Sequence, residues 1–194
     1  VRRAIERIRG DLREIDYTHV AAMVDIVRQG EGHARIQVPG ADILRSCDWI
    51  RFAPSAARPA TRDYEYTITP PCSVPLPGSV DPIRLELIEN SKSASPRDTL
   101  EARLDWAAVQ SVFSRSAPLC LRNWRPGDSY QPIGAQEQKI KHLFQESRVP
   151  LWERRNWPIL AAGSRILWSK GFGPAQQFAA DSTSRLVLTI YERK

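Results

Sequence analysis

Residues 121–158 read LRNWRPGDSYQPIGAQEQKIKHLFQESRVPLWERRNWP. The stretch opens on a strand-like apolar run and breaks at Pro126-Gly127-Asp128, the residue types a tight turn needs for backbone reasons alone. Residues 139–146 follow as an amphipathic helix with Ile140, Leu143 and Phe144 on one face. Pro150 then fixes a turn before a short helix over 151–156. Strand, turn, helix, turn and helix within forty residues describe a mixed α/β unit.

The pattern extends both ways. Downstream, 159–162, 165–169 and 185–192 read as strands. Upstream, 100–106 and 119–124 do the same, and from Ala34 the apolar period is two: ARIQV, ILRSCDWIRF, DYEYTIT and IRLELIE, with Pro39-Gly40, Pro54, Pro70-Pro71 and Pro77-Gly78 between them. This predicts an antiparallel meander. The polar stretch 90–98, NSKSASPRD, reads as a loop. Residues 1–10 read as the end of a helix closed by Gly10. A second helix carries Val20, Met23, Val24 and Val27, capped by Asp16 or Thr18 and ending at Gly30. The fold class is α+β: short N-terminal helices, then a mixed domain with antiparallel sheet and two or three helices. The expected division is a helical remnant over 1–32 and an α+β domain over 33–194. Val1 opens inside a helical pattern without an initiator Met, as a chain cut from something longer would.

Composition narrows the function. The 194 residues carry a net charge of +6, and 42% of them are hydrophobic, enough for a core. No run of about 18 apolar residues exists, which argues against a membrane span, and the N-terminus lacks an apolar signal core. Cys47, Cys72 and Cys120 are odd in number and far apart, so each reads as a small buried side chain in a cytoplasmic protein. His19, His33 and His142 are as scattered, and no metal-ligand spacing appears. The charge is lopsided. Residues 1–114 hold 15 Lys and Arg against 16 Asp and Glu, whereas residues 115–194 hold 13 against 6. A positive excess confined to one half points to a polyanionic partner.

The basic residues cluster as Arg122, Arg125, Lys139, Lys141, Arg148, Arg154 and Arg155, seven within 34 positions. Arginines at a strand end offer a planar fork to phosphate, although guard charges on an edge strand look the same. Asp128 suits a turn acceptor or a partner that orients an arginine. Lys139 and Lys141 at a helix start oppose the helix dipole, which hints at an anion there. Arg154 and Arg155 pair as readily with Glu146 or Glu153. Such a face would bind RNA by phosphate contact and shape. Of the six tryptophans, Trp49, Trp106 and Trp168 fall in strand patterns and read as core. Trp124, Trp152 and Trp157 lie in the basic region. No Walker loop, nucleophile elbow or zinc helix is present, so the residues read as a binding module.

The run Arg122-Asn-Trp-Arg125-Pro-Gly127-Asp128, Gln131-Pro-Ile-Gly134, Lys139-Ile-Lys141, Leu143-Phe144, Val149-Pro150, Arg154 and Trp157-Pro158 closely resembles the C-terminal domain of tRNA(Ile)-lysidine synthetases. GDLREIDYTHVAAMVDIV and IQVPGADILRSCDWIRF resemble that family's connecting helices and the first strands of its C-terminal region. The likeness covers most of the chain and is densest over 119–192. It implies a carbon–nitrogen ligase that activates the wobble cytidine of a minor isoleucine tRNA with ATP and Mg, then attaches lysine to form lysidine. In the family that chemistry belongs to an N-terminal PP-loop domain with an S-G-G-x-D-S loop, and these residues contain none. The resemblance therefore implies no catalytic residue, metal or cofactor in this chain. The implied partners are tRNA, on its acceptor-stem side, and the enzyme's own PP-loop domain, with a homodimer open. Gly127, Asp128, Gly134, Pro150 and Pro158 would be the structural framework. Ser129, Gln138 and Arg155 depart from the family pattern, losing two cations and gaining one. The alternative reading is a non-catalytic module whose basic face docks an acidic protein.

Overall fold

The computed structural model describes residues 1–28, 32–55, 63–90 and 99–193. Most of the expected 90–98 loop and the expected stop of the second helix at Gly30 lie outside these residues. Contacts gather the chain into two compact units, Val1–Ala60 with Ser147–Trp152, and Thr61–Glu146 with Glu153–Lys194. The expected boundary after residue 32 falls inside the first unit.

In the first unit, helix α1 (Arg2–Arg9) stops where Gly10 turns left-handed at φ 88° and donates its N–H to the Glu6 carbonyl at 2.7 Å. Helix α2 (Tyr17–Arg28) is capped by Asp16, whose Oδ1 accepts from the His19 N–H at 2.9 Å and the Thr18 hydroxyl at 2.7 Å. These bonds hold the Asp16 carboxyl below its ordinary pKa, the His19 backbone bond being the largest cause. Strands β1 (His33–Val38), β2 (Ala41–Ser46) and β3 (Trp49–Pro54) form an antiparallel meander. Ile5 and Met23 pack on Val38, Ala41 and Ile43, so the sheet supplies the apolar surface that two short helices lack. Buried Arg45 donates Nη1 to the Ile26 carbonyl at 3.1 Å, neutralising an acceptor in the last turn of α2.

Two expectations change here. The run ILRSCDWIRF is a hairpin rather than one strand: Cys47 takes a φ of 52° and reverses the chain between Ser46 and Trp49. Trp49, read as core, is 59% exposed.

The second unit holds two antiparallel sheets and a two-stranded ribbon. One sheet has the order β13-β12-β11-β8-β4, from β4 (Glu65–Thr67), β8 (Leu119–Asn123), β11 (Pro158–Ala162), β12 (Arg165–Ser169) and β13 (Gly173–Pro174). The other has the order β5-β6-β14-β7, from β5 (Cys72–Val74), β6 (Ile83–Glu89), β7 (Thr99–Asp105) and β14 (Leu186–Arg193). Every residue of β8 and β11 is buried, as interior strands covered on both faces require. The ribbon pairs β9 (Ser129–Tyr130) with β10 (Gln138–Lys139).

Among the described residues three further α-helices and a 3-10 turn over Gln176–Phe178 complete the fold. α3 (Trp106–Gln110) was expected to be strand at Trp106; the Asp105 carboxylate accepts the Ala108 N–H at 2.7 Å and starts a helix instead. α4 is Ile140–Glu146, and α5 (Leu151–Arg154) carries residues of both units. Trp168 is fully buried, as read. Cys120 is buried, as read, whereas Cys47 and Cys72 are only half-buried. Among the described residues no helix is long and apolar enough to cross a membrane.

Candidate nucleic-acid interface

The turn after β8 organises the basic region. The Asp128 N–H donates to the Arg125 carbonyl at 3.0 Å, with Pro126 and Gly127 at the two central positions and Gly127 at φ 101°. That φ belongs to the third residue of a type II turn and favours glycine. Asp128 performs both roles the sequence left open. Its Oδ2 accepts the Arg125 N–H at 2.6 Å, and its two oxygens grip Arg122 fork to fork, each at 2.9 Å.

Arg122 is therefore not placed as a phosphate contact. It is 6% exposed, and its Nη1 also donates to the Asn123 carbonyl at 2.9 Å. A buried guanidinium filled by a carboxylate and a carbonyl is a strut.

Asn123, which the sequence reading passed over, is a second strut. Its Oδ1 accepts from Tyr64 N at 3.1 Å, and its Nδ2 donates to Asp63 Oδ1 at 3.1 Å and to the Arg155 carbonyl at 3.2 Å. A buried amide that satisfies three partners ties three chain segments together. An Asn at the end of an apolar strand run was the available signal.

The Asp128 carbonyl accepts the Ile140 N–H at 3.0 Å, joining the turn to the start of α4. This corrects the helix-start reading for Lys139, while Lys141 is the second residue of α4. Lys139 stands in β10 opposite Ser129, and the first N–H of the seven-residue helix is already bonded. The helix-dipole hint therefore lapses for Lys139.

The other cations of this stretch differ in exposure and in partner. Arg125 is half-exposed, with Nη2 2.6 Å from Glu65 Oε2. The side chains of Lys139, Lys141 and Arg155 are exposed and make no hydrogen bond or ion pair to a described residue. Arg154 is half-buried, its guanidinium 5.7 Å from the Phe144 ring centre. Arg148 belongs to the first unit, at φ 49° with its Nη1 2.7 Å from Asp48 Oδ1.

Trp157 is buried in the packed interior, and Trp124 is half-buried beside it. Phe144 meets Trp124 edge-on at 5.1 Å and Trp157 edge-on at 5.3 Å, and Phe172 lies 5.4 Å from Trp157. Trp157 Nε1 donates to Ser169 Oγ at 3.1 Å. Pro150 and Pro158 are buried, and Pro158 opens β11, a position that tolerates its missing N–H. Gly134 takes a φ of 73° in the loop joining β9 to β10.

Burial pushes the Cys72 and Cys120 thiols up, away from a reactive thiolate. Among the described residues no group of three or more His, Cys, Asp and Glu could hold a metal. The arrangement presents positive charge on a rigid frame.

The frame and its cations lie in residues matched by one family description, the TilS substrate C-terminal domain, over 119–190. Residues 119–190 belong to that family. Similarity to TilS proteins extends beyond it. A tRNA(Ile)-lysidine synthase of Solibacter usitatus is 41% identical over 99% of this chain and 43% of its own length. The enzyme of Geobacter sulfurreducens is 29% identical over 100% of this chain and 40% of its own. The chain thus spans less than half the length of these relatives. A crystal structure of a TilS C-terminal domain superposes with a TM-score of 0.54 at 28% identity, covering 68% of this chain and 98% of that one. Along its length the chain is similar to the C-terminal part of TilS proteins, and its fold is α+β with antiparallel sheets.

Proposed function

We propose that this chain holds tRNA for a tRNA(Ile)-lysidine synthase, the ATP-dependent ligase that attaches lysine to the wobble cytidine of a minor isoleucine tRNA, and that it does no chemistry itself. One observation carries the reading: the side chains of Lys139, Lys141 and Arg155 are exposed and make no bond to a described residue, in the segment whose turn the Arg122–Asp128 pair makes rigid. Exposed cations on a fixed frame attract phosphate and release counterions without reading bases. The names of the relatives support tRNA as the polyanion. Arg125 can exchange its carboxylate partner for phosphate, and Arg154 stiffens the face through Phe144.

ATP, Mg and lysine belong to the chemistry of the whole ligase. The residues here offer no S-G-G-x-D-S loop to cradle a triphosphate, so no catalytic step is assigned to them. The acceptor-stem side of the tRNA, docking to a PP-loop domain, a homodimer and a cytoplasmic location remain parts of this proposal.

The test is fluorescence anisotropy of this 194-residue chain with a minor isoleucine tRNA transcript across a salt series. Affinity should fall steeply with salt, and Lys141→Ala with Arg155→Ala should weaken it at every salt concentration. Unchanged affinity in the double variant would remove the proposed face. Absence of a tRNA shift, with retention of an acidic protein, would favour a protein-docking module.

A further inference from the structure

The ribbon that carries Lys139 also walls a cleft of about 280 Å³, and every lining residue belongs to the second unit. Its polar lining comprises Ser129 and Gln131 from the β9 side, Glu137 ahead of β10, Ser164 and Arg165 at the β11–β12 turn, and Gln177. Three features set it apart from an ordinary surface dent.

First, the charges are separated. The Arg165 side chain is exposed and makes no hydrogen bond or ion pair to a described residue. Glu137 is held by the Ser129 hydroxyl, which donates to its Oε1 at 3.0 Å, and Oε2 is left to accept. Second, the rim is fixed. Gln131 Nε2 donates to the Ala135 carbonyl at 3.0 Å and to Gln176 Oε1 at 3.3 Å, and its backbone carbonyl accepts Gln176 N–H at 2.8 Å. The β11–β12 turn is set by Gly163 at φ 57°, where an added Cβ would stand 3.3 Å from Ala117 Cβ. Third, the size sits just below the usual range for small-ligand pockets, room for one nucleotide and not for a duplex.

We propose that this cleft takes a single unpaired nucleotide bearing an exocyclic amine, cytidine or adenosine. Arg165 meets its phosphate, and Glu137 accepts from its base amine. The chemistry selects this class: a carboxylate accepts from cytosine N4 or adenine N6, whereas uracil presents a carbonyl oxygen at the same edge. The hydroxyls of Ser129 and Ser164 and the Gln177 amide suit a ribose or the remaining base edge. The site rests on the RNA-binding reading of the neighbouring face. Lys139 is paired with Ser129 across the ribbon, so a strand tracking the exposed cations arrives at the cleft mouth.

The experiment is a nitrogen-15 NMR titration of the 194-residue chain with cytidine 5′-monophosphate, uridine 5′-monophosphate and cytidine. Amides of Ser129, Gln131, Ser164 and Gln177 should move with the cytidine nucleotide. It should bind roughly fivefold or more tightly than the uridine nucleotide, the low end for a single discriminating hydrogen bond. Glu137→Gln should erase that preference, and Arg165→Gln should make the nucleotide bind no better than the nucleoside. Both side chains are exposed, and a retained dispersed spectrum shows that each variant folds. Equal binding of the two nucleotides, shifts elsewhere, or unaltered behaviour of either variant overturns the site. Anisotropy with the tRNA transcript separates the two claims. A chain that binds tRNA while its cleft stays silent keeps the proposed function and loses this site. A chain whose cleft discriminates the nucleotides but ignores tRNA keeps the site and loses the function.

Discussion

Arg122 and Asp128 form a bidentate ion pair with both N–O distances at 2.9 Å, joining an interior strand to the turn that follows it. Their side chains are 7% and 13% exposed, so the pair is shielded from solvent and salt. A second arginine is bound to the same carboxylate only through its backbone N–H. One carboxylate therefore decides which arginine is structural and which stays at the surface.

Removing either partner strands a charge in the interior. Arg122→Ala or Asp128→Ala should each cost about 3 to 5 kcal/mol of stability. The double variant should cost less than the sum, because the two changes remove one interaction. Urea denaturation followed by tryptophan fluorescence measures all four species. Additive losses would show that the pair is not coupled.

Lys141 and Arg155 should behave in the opposite way. Replacing either with Ala should leave the denaturation midpoint within the ordinary surface range, about 0.5 kcal/mol. Each should weaken tRNA binding and reduce the slope of log affinity against log salt by about 1. Binding and stability therefore separate the struts from the face.

Gly127→Ala tests the turn itself. An added Cβ meets nothing within 4 Å, so crowding is absent and only the φ of 101° opposes it. The loss should be about 1 kcal/mol or somewhat more. If the variant is as stable as the parent, the turn does not hold that conformation in solution.

Glu192 gives a pH signature. It is buried, its Oε2 has no hydrogen-bond partner among the described residues, and burial raises its carboxyl pKa above the ordinary glutamate value; the Gly171 N–H and Lys170 only partly oppose that. With the folded pKa above the unfolded one, the folded state binds the proton more tightly. Stability from this group is full below the unfolded pKa and declines as pH rises through the folded one. Glu192→Gln should flatten that decline and raise stability at neutral pH. Denaturation midpoints from pH 4 to pH 8 check it, and an unchanged slope would refute it.

The local vocabulary of this chain was written in its residues. Gly10 ended a helix, Asp16 capped the next, Pro126-Gly127-Asp128 turned the chain, and apolar period placed most strands. Each is fixed by backbone sterics or by a hydrogen bond within a few positions, so neighbours in sequence suffice. The spread of basic residues was legible for the same reason, since charge is a property of composition.

Tertiary structure alone decided which of those charges are available. Nothing in the sequence told Arg122 from Arg125: one fills an Asp128 carboxylate inside the fold, the other meets Glu65 at the surface, sixty positions away in the chain. Nor did it tell Trp49 from Trp168, both in strand patterns, one exposed and one enclosed. Partner and burial are set by segments distant in sequence. The cost of stranding a charge or a polar group then makes the choice all or none.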